Sequence, residues 1–164
     1  MGVALADKIM IIKEEEFDVQ KVQRGGSCFF RAVSAAMNNL NDSLHIQLRY
    51  KACDEMANNS KDYEVLLSTE DLQKETILDR SKRMRNQGEF AEHLEVKAVA
   101  EITGRSFCIY DVDESCLLNI IQKEDDGRSI IYLRLTNGRH PDMAHYDLLL
   151  PSTQVVNSVA EPLI

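Results

Sequence analysis

The sequence predicts an α+β protein, a central and mostly antiparallel β-sheet flanked by helices. Three observations point there. From Phe29 to Ile102 the apolar residues recur at helical spacing. From 106 to 150 they fall instead into short runs separated by turn residues. No repeat, linker or low-complexity stretch divides the chain. Helices grouped first and strands grouped later is the pattern of segregated elements rather than of alternating βαβ units. At 164 residues with 44% hydrophobic content, the chain has the size of one domain and enough apolar mass for a continuous core. A single domain over 1–164 is expected, with its core at about 17–151.

The elements follow in order. FDVQKVQ (17–23) alternates apolar and polar residues and reads as a short strand. The tight loop Arg24-Gly25-Gly26-Ser27 follows, and then a helical stripe of Phe29, Val33, Ala36, Met37 and Leu40. Ser27 is the residue type that caps a helix N-terminus, which puts Cys28 in the first turn. Ser43 is expected to cap a second helix through about 58, and Ser60 a short third. Ser68 with Asp71 has the form of a capping box for a fourth helix reaching about Asn86. Residues 90–103 carry Leu94, Val96, Val99, Ala100 and Ile102, and Gly104 stands where a helix C-terminal glycine belongs. SFCIYDV (106–112), CLLNIIQ (116–122), SIIYLRL (129–135) and HYDLLL (145–150) read as strands, with Asp125-Asp126-Gly127 as a hairpin turn.

Charge and cysteine usage exclude several classes. The net charge is −8, from 27 acidic and 19 basic residues, and the only basic cluster, Arg80–Arg85, lies in a mixed-charge helical stretch. A nucleic-acid binder needs a basic footprint, so no nucleic acid is expected; an acidic surface suits a basic protein partner. The four cysteines, at 28, 53, 108 and 116, form no CxxC pair. They read as reduced thiols in a cytoplasmic setting, with no metal and no cofactor. The opening MGVALADKIMII is broken by Asp7 and Lys8, unlike a signal peptide, and no apolar run approaches the roughly 20 residues of a membrane span. No membrane partner is expected, and a monomer is.

Two places carry chemistry. A thiolate attacks carbonyls, and a helix N-terminus sets partial positive charge beside a sulfur at Cys28. The Gly25-Gly26 backbone and the Cys28 N–H could together receive an oxyanion. Taken alone, Cys28 reads equally well as a buried cysteine at a helix start. Further on, His145 and Asp147 are two apart on a strand and so face the same side, at a spacing that lets the carboxylate orient the imidazole. A lone histidine there would more often be an ordinary strand-edge residue. His45 and His93 read as surface or packing residues, and His140, before Pro141, as shaping the approach to His145. A zinc site drawn from Cys108, Cys116, His140 and His145 has no recognised spacing.

Three blocks in order resemble the OTU (ovarian-tumour) family of cysteine deubiquitinases. They are Gly25-Gly26-Ser27-Cys28-Phe29-Phe30-Arg31-Ala32, then Glu89-Phe90-Ala91-Glu92-His93-Leu94-Glu95 running into KAVAEITGRSFCIYD, then His145-Tyr146-Asp147-Leu148. The resemblance covers about 18–150. It implies a papain-like cysteine protease fold and hydrolysis of isopeptide or peptide bonds at the C-terminus of ubiquitin through an acyl-enzyme. Cys28 would be the nucleophile, His145 the base and then acid, and Asp147 the orienting residue. Gly25, Gly26 and Cys28 would supply the oxyanion hole, and Phe90, His140, Met143 and Tyr146 would line the substrate cleft. Ubiquitin and polyubiquitin chains are the implied partners, with ubiquitin-like modifiers as an extension. Asp111, Asp113, Glu114, Asp125 and Asp126 would meet the basic tail of ubiquitin or simply form a solvated turn face. Gly25 replaces the family's usual aspartate and Phe90 its tryptophan. The first change removes a side chain that holds the loop, which implies a less ordered oxyanion hole without substrate. Two other readings keep the same fold: a non-catalytic ubiquitin-binding module, and a viral-style protease processing a polyprotein. A small domain of this kind suits a bacterial or viral effector acting in host cytoplasm or a fragment of a larger eukaryotic protein, and the divergent signature favours the effector.

Overall fold

A computed structural model describes residues 9–12, 15–120, 130–140 and 142–152. Six strands form one sheet: β1 (Ile9–Ile12), β2 (Glu15–Gln20), β3 (Phe107–Asp111), β4 (Cys116–Ile120), β5 (Ile131–Thr136) and β6 (His145–Pro151). Their order is β1-β2-β6-β5-β3-β4. Every neighbouring pair is antiparallel except β3 and β5, which run parallel. The helices are α1 (Cys28–Met37), α2 (His45–Asn58), α3 (Ser60–Glu64), α4 (Thr69–Lys74), α5 (Ile77–Arg83) and α6 (His93–Thr103). The expected α+β architecture is therefore present, with two strands before the helices and four after them.

Strand alternation sorts the apolar residues onto two faces. Phe107, Ile109, Ile131, Leu133, Leu135, Tyr146 and Leu148 join Phe29, Phe30, Val33, Leu94, Val96 and Val99 of the helices in the main core. The opposite face carries a smaller cluster of Phe17 and Leu149, with Val19, Tyr110, Leu117 and Tyr132 around it. Phe29 and Phe30 are fully buried and fasten α1 to the sheet; each such side chain contributes about 1.5–3 kcal/mol. Phe29 meets Tyr146 of β6 edge-on at 5.3 Å. That contact sets the start of α1 over the start of β6.

Several boundaries differ from the sequence expectation, each for a local reason. The strand expected at 17–23 stops at Gln20, because the Val22 N–H leaves the ladder to donate to the Asp147 carboxylate. The IMII run, not read as a strand, pairs as β1 with β2. Ser27 does not cap α1; its hydroxyl donates to the Gln87 carbonyl. Ser43 does not cap α2 either: the helix starts one residue later, after Leu44, while the Ser43 N–H donates to the Asn41 side chain. Ser60 is the first residue of α3 rather than its cap. The single helix expected from 68 to 86 is two. Ser68 caps α4 by accepting from the Asp71 N–H, but Glu75 and Thr76 are extended and Thr76 caps α5 by accepting from the Asp79 N–H. α6 begins at His93 rather than 90, behind a reciprocal Glu92–Glu95 capping box, and ends at Gly104 in the left-handed region (φ +67°) as expected. The Asp125-Asp126-Gly127 turn lies outside the described residues.

Candidate active site

The loop before α1 is shaped by two glycines. Gly25 has φ +130°, a backbone that L side chains rarely adopt, so the aspartate of the family pattern would be strained in this conformation. At Gly26 a Cβ would lie 2.3 Å from the Gly88 carbonyl carbon and oxygen; only glycine lets the two loops touch. Cys28 then opens α1 with its side chain fully buried. Its sulfur accepts from the Tyr146 N–H at 3.4 Å, which joins the start of α1 to β6. The Cys28 N–H, expected as an open oxyanion donor, is occupied instead: it donates to the Gly25 carbonyl at 3.1 Å. A tight turn over 25–28 accounts for this. The Cys28 N–H is thus engaged within its own loop, and the thiol beside it is closed off from the surface.

On β6 the chemistry is built from side chains. His145 Nε2 lies 2.9 Å from Asp147 Oδ1, as alternation along the strand requires. The Nδ1 atom has no hydrogen-bond partner and is the ring nitrogen left for the thiol. The hydrogen bond to Asp147 and then the nearby Cys28 raise the His145 pKa to about 9, against opposition from burial. The imidazole therefore holds its proton at neutral pH. Burial would raise the Asp147 pKa, but hydrogen bonds from His145, the Val22 N–H and Arg134 prevail and hold it at about 2. Arg134 stands directly across from Asp147 in the β5–β6 register and donates to Oδ2 at 3.0 Å. The carboxylate is thus fixed on both oxygens, by His145 and Val22 N–H on one and by Arg134 on the other.

The remaining cleft residues are distributed unevenly. His140 and Met143 lie in the β5–β6 turn, where the His140 carbonyl accepts from both Met143 and Ala144 N–H groups. Both are exposed, Met143 by 58%. Tyr146 is a correction. It is 3% exposed and lies in the main core rather than lining a cleft, because alternation turns it away from His145 and Asp147. Phe90 is half-buried and stacks on Tyr146 at 5.2 Å, so its aromatic ring packs over the core next to the site. Asp111 uses its carboxylate to accept from the Asp113 and Glu114 N–H groups of the β3–β4 turn, which is the turn-face reading. His93 is exposed and His45 is buried on α2. Sequence reasoning missed Arg134, the Val22 N–H and Arg49. A lone arginine in the apolar run SIIYLRL is a signal for the first; the other two have none before the chain is folded.

The comparisons identify the family and the fold. The model of the family described as OTU-like cysteine protease matches residues 23–158, and the chain belongs to that family. No curated protein matches the chain significantly. Among solved structures, the OTU domain of OTUD1 is similar at 18% identity and TM-score 0.64, covering 82% of this chain and 85% of that one. An OTU domain solved in complex with ubiquitin is 18% identical at TM-score 0.65, covering 90% and 78%. The viral OTU domain protease of Dera Ghazi Khan virus is 16% identical at TM-score 0.66, covering 88% and 86%. These likenesses establish the papain-like OTU fold.

Proposed function

We propose that this protein is a cysteine deubiquitinase that cleaves isopeptide or peptide bonds at the C-terminus of ubiquitin through an acyl-enzyme. The observation that carries the reading is the meeting of Cys28, at the start of α1, with the His145–Asp147 pair on β6. In the acylation step the Cys28 sulfur bonds to the carbonyl carbon of the terminal ubiquitin glycine. His145 gives its proton to the leaving amine as the C–N bond breaks. In deacylation the neutral imidazole takes a proton from water, whose oxygen attacks the thioester and releases Cys28. Asp147 keeps the ring oriented throughout. The solved complex of a similar OTU domain with ubiquitin and the net charge of −8, suited to a basic ubiquitin tail, support ubiquitin as the partner. Ubiquitin-like modifiers and action in the cytoplasm, including a host's, belong to the same proposal.

The test is ubiquitin carrying a C-terminal electrophile, mixed with the reduced protein and weighed. One added ubiquitin is expected on the parent and none on Cys28→Ala, with turnover of a fluorogenic ubiquitin substrate lost in both Cys28→Ala and His145→Ala. A second reading, a ubiquitin-binding module without turnover, is favoured by the full burial of Cys28 and the occupied Cys28 N–H. Measurable ubiquitin affinity with no adduct would select it.

A further inference from the structure

Arg49 is fully buried on α2, and the chemistry described so far makes no use of it. Its Nη1 donates to the Met84 carbonyl at 2.8 Å. Its Nη2 reaches the carbonyls of Gly26 at 2.8 Å, Glu89 at 3.1 Å and Gln87 at 3.2 Å, and the Ser27 hydroxyl at 3.4 Å. The guanidinium carbon sits 4.5 Å over the Phe30 ring. Among the described residues no ion pair includes it. Burial lowers its pKa, and Cys53, Glu95, Cys28 and Glu89 oppose that shift.

A buried cation without a carboxylate partner is a poor way to gain stability, since apolar replacements of buried charges are often neutral or stabilising. What the planar guanidinium does provide is a rigid set of donors. Here they join two loops: residues 24–27, which lead into Cys28, and residues 84–90, which lead to Phe90 and α6. The Gly26 carbonyl is held by Arg49, the Gly26 α-carbon is wedged against Gly88, and the Ser27 hydroxyl is tied to Gln87. Gly25, by contrast, has nothing within 4 Å of its missing Cβ. The peptide linking Gly26 to Ser27 is thus fixed, and it immediately precedes the Ser27–Cys28 peptide that carries the Cys28 N–H.

We propose that Arg49 is a positioning residue for acyl transfer: by holding the Gly26 carbonyl and the Ser27 hydroxyl against the 84–90 loop, it sets the backbone N–H groups beside Cys28 that receive the developing oxyanion. The inference rests on reading Cys28 as an acyl-transfer nucleophile.

Two small probes separate positioning from thiol reactivity. With p-nitrophenyl acetate the Cys28 sulfur bonds to the acetyl carbon, the ester C–O bond breaks and p-nitrophenolate leaves; the carbonyl oxygen gains charge on the way. With iodoacetamide the sulfur bonds to the methylene carbon and iodide leaves, with no oxyanion at the reacting carbon. Both products are read at Cys28 by peptide mass, because the exposed Cys116 also reacts. In Arg49→Lys, acylation is expected to fall on the order of ten- to a hundredfold, the scale of a misplaced oxyanion donor, while alkylation keeps its parent rate. Equal losses in both reactions, or parent-like acylation, would overturn the proposal. If Arg49→Lys gives no cooperative thermal melt, Ser27→Ala takes its place: it severs one link between Arg49 and the loop and must lower the acylation-to-alkylation ratio, and an unchanged ratio overturns the proposal. Neither probe contains ubiquitin. A protein acylated at Cys28 that leaves all ubiquitin conjugates uncut rejects the substrate reading and not the role of Arg49, whereas a Cys28 inert to both probes removes the nucleophile and this inference with it.

Discussion

Two buried arginines support the two halves of the site, and they do so differently. On β6, Arg134 holds a side chain: it bonds the Asp147 carboxylate that orients His145, inside a continuous ladder. Before α1, Arg49 holds a backbone: it bonds the Gly26 carbonyl of a loop that has no ladder. In the strand half both oxygens of Asp147 are engaged. The loop half is closed on itself, its Cys28 N–H taken by Gly25. A base and its orienting acid can be set by strand register because both are side chains two residues apart. Oxyanion donors are backbone groups, and a loop must be held from outside to present them.

The largest effect that would sharpen this contrast is at Asp147. Asp147→Asn should lower kcat/KM on a ubiquitin substrate by about 10²- to 10⁴-fold, through loss of the correct imidazole tautomer. It also removes the Asp147 carboxylate from the buried Arg134, a loss of about 3–5 kcal/mol by chemical denaturation. Adding Arg134→Gln should return much of that stability and none of the activity. If the double variant recovers activity too, Asp147 does not orient His145.

A smaller effect lies in the pH dependence of stability. His145 has a folded pKa of about 9 against an ordinary value of 6.5. Its contribution is full below pH 6.5 and disappears as pH rises through about 9. Asp147 has the opposite sign: its pKa is about 2 against an ordinary 3.8, so its contribution is present above pH 3.8 and is lost as pH falls through about 2. Thermal melts from pH 6 to 10 should therefore show a decline that His145→Gln flattens. An unchanged slope in that variant would remove the ion-pair character of the strand half.

The smallest effect is expected away from both halves. Cys53 is 1% exposed, and burial pushes its thiol up to about 11. Cys53→Ala should leave turnover at the parent level while lowering stability by about 1 kcal/mol, the scale of a small group removed from a core. A large loss of turnover would mean that α2, which also carries Arg49, transmits core packing to the nucleophile loop.

Much of this was legible before folding. Apolar spacing located α1 and the strands from 106 onward, the Ser68–Asp71 pair the start of α4, and Gly104 the end of α6. Cys28, His145 and Asp147 stood out because a helix start and a two-residue strand spacing confer chemistry locally. Serines misled at 27, 43 and 60, because a hydroxyl that suits a cap equally suits a carbonyl on a neighbouring loop, and Ser27 took Gln87. Tyr146 was misplaced by proximity in sequence to His145, although alternation already assigns it to the other face.

Local periodicity was enough for the α+β class and for the grouping of helices before the later strands, and residue chemistry singled out Cys28, His145 and Asp147 as candidates, whose proposed roles came from the family resemblance. The parallel pairing of β3 with β5, the meeting of Arg134 with Asp147, the capture of the Cys28 N–H by Gly25 and the clamp by Arg49 arose only on folding. Each depends on which segments come to lie side by side, separated in sequence or across a turn, and a pattern along the chain carries no record of that until the core brings those segments into contact.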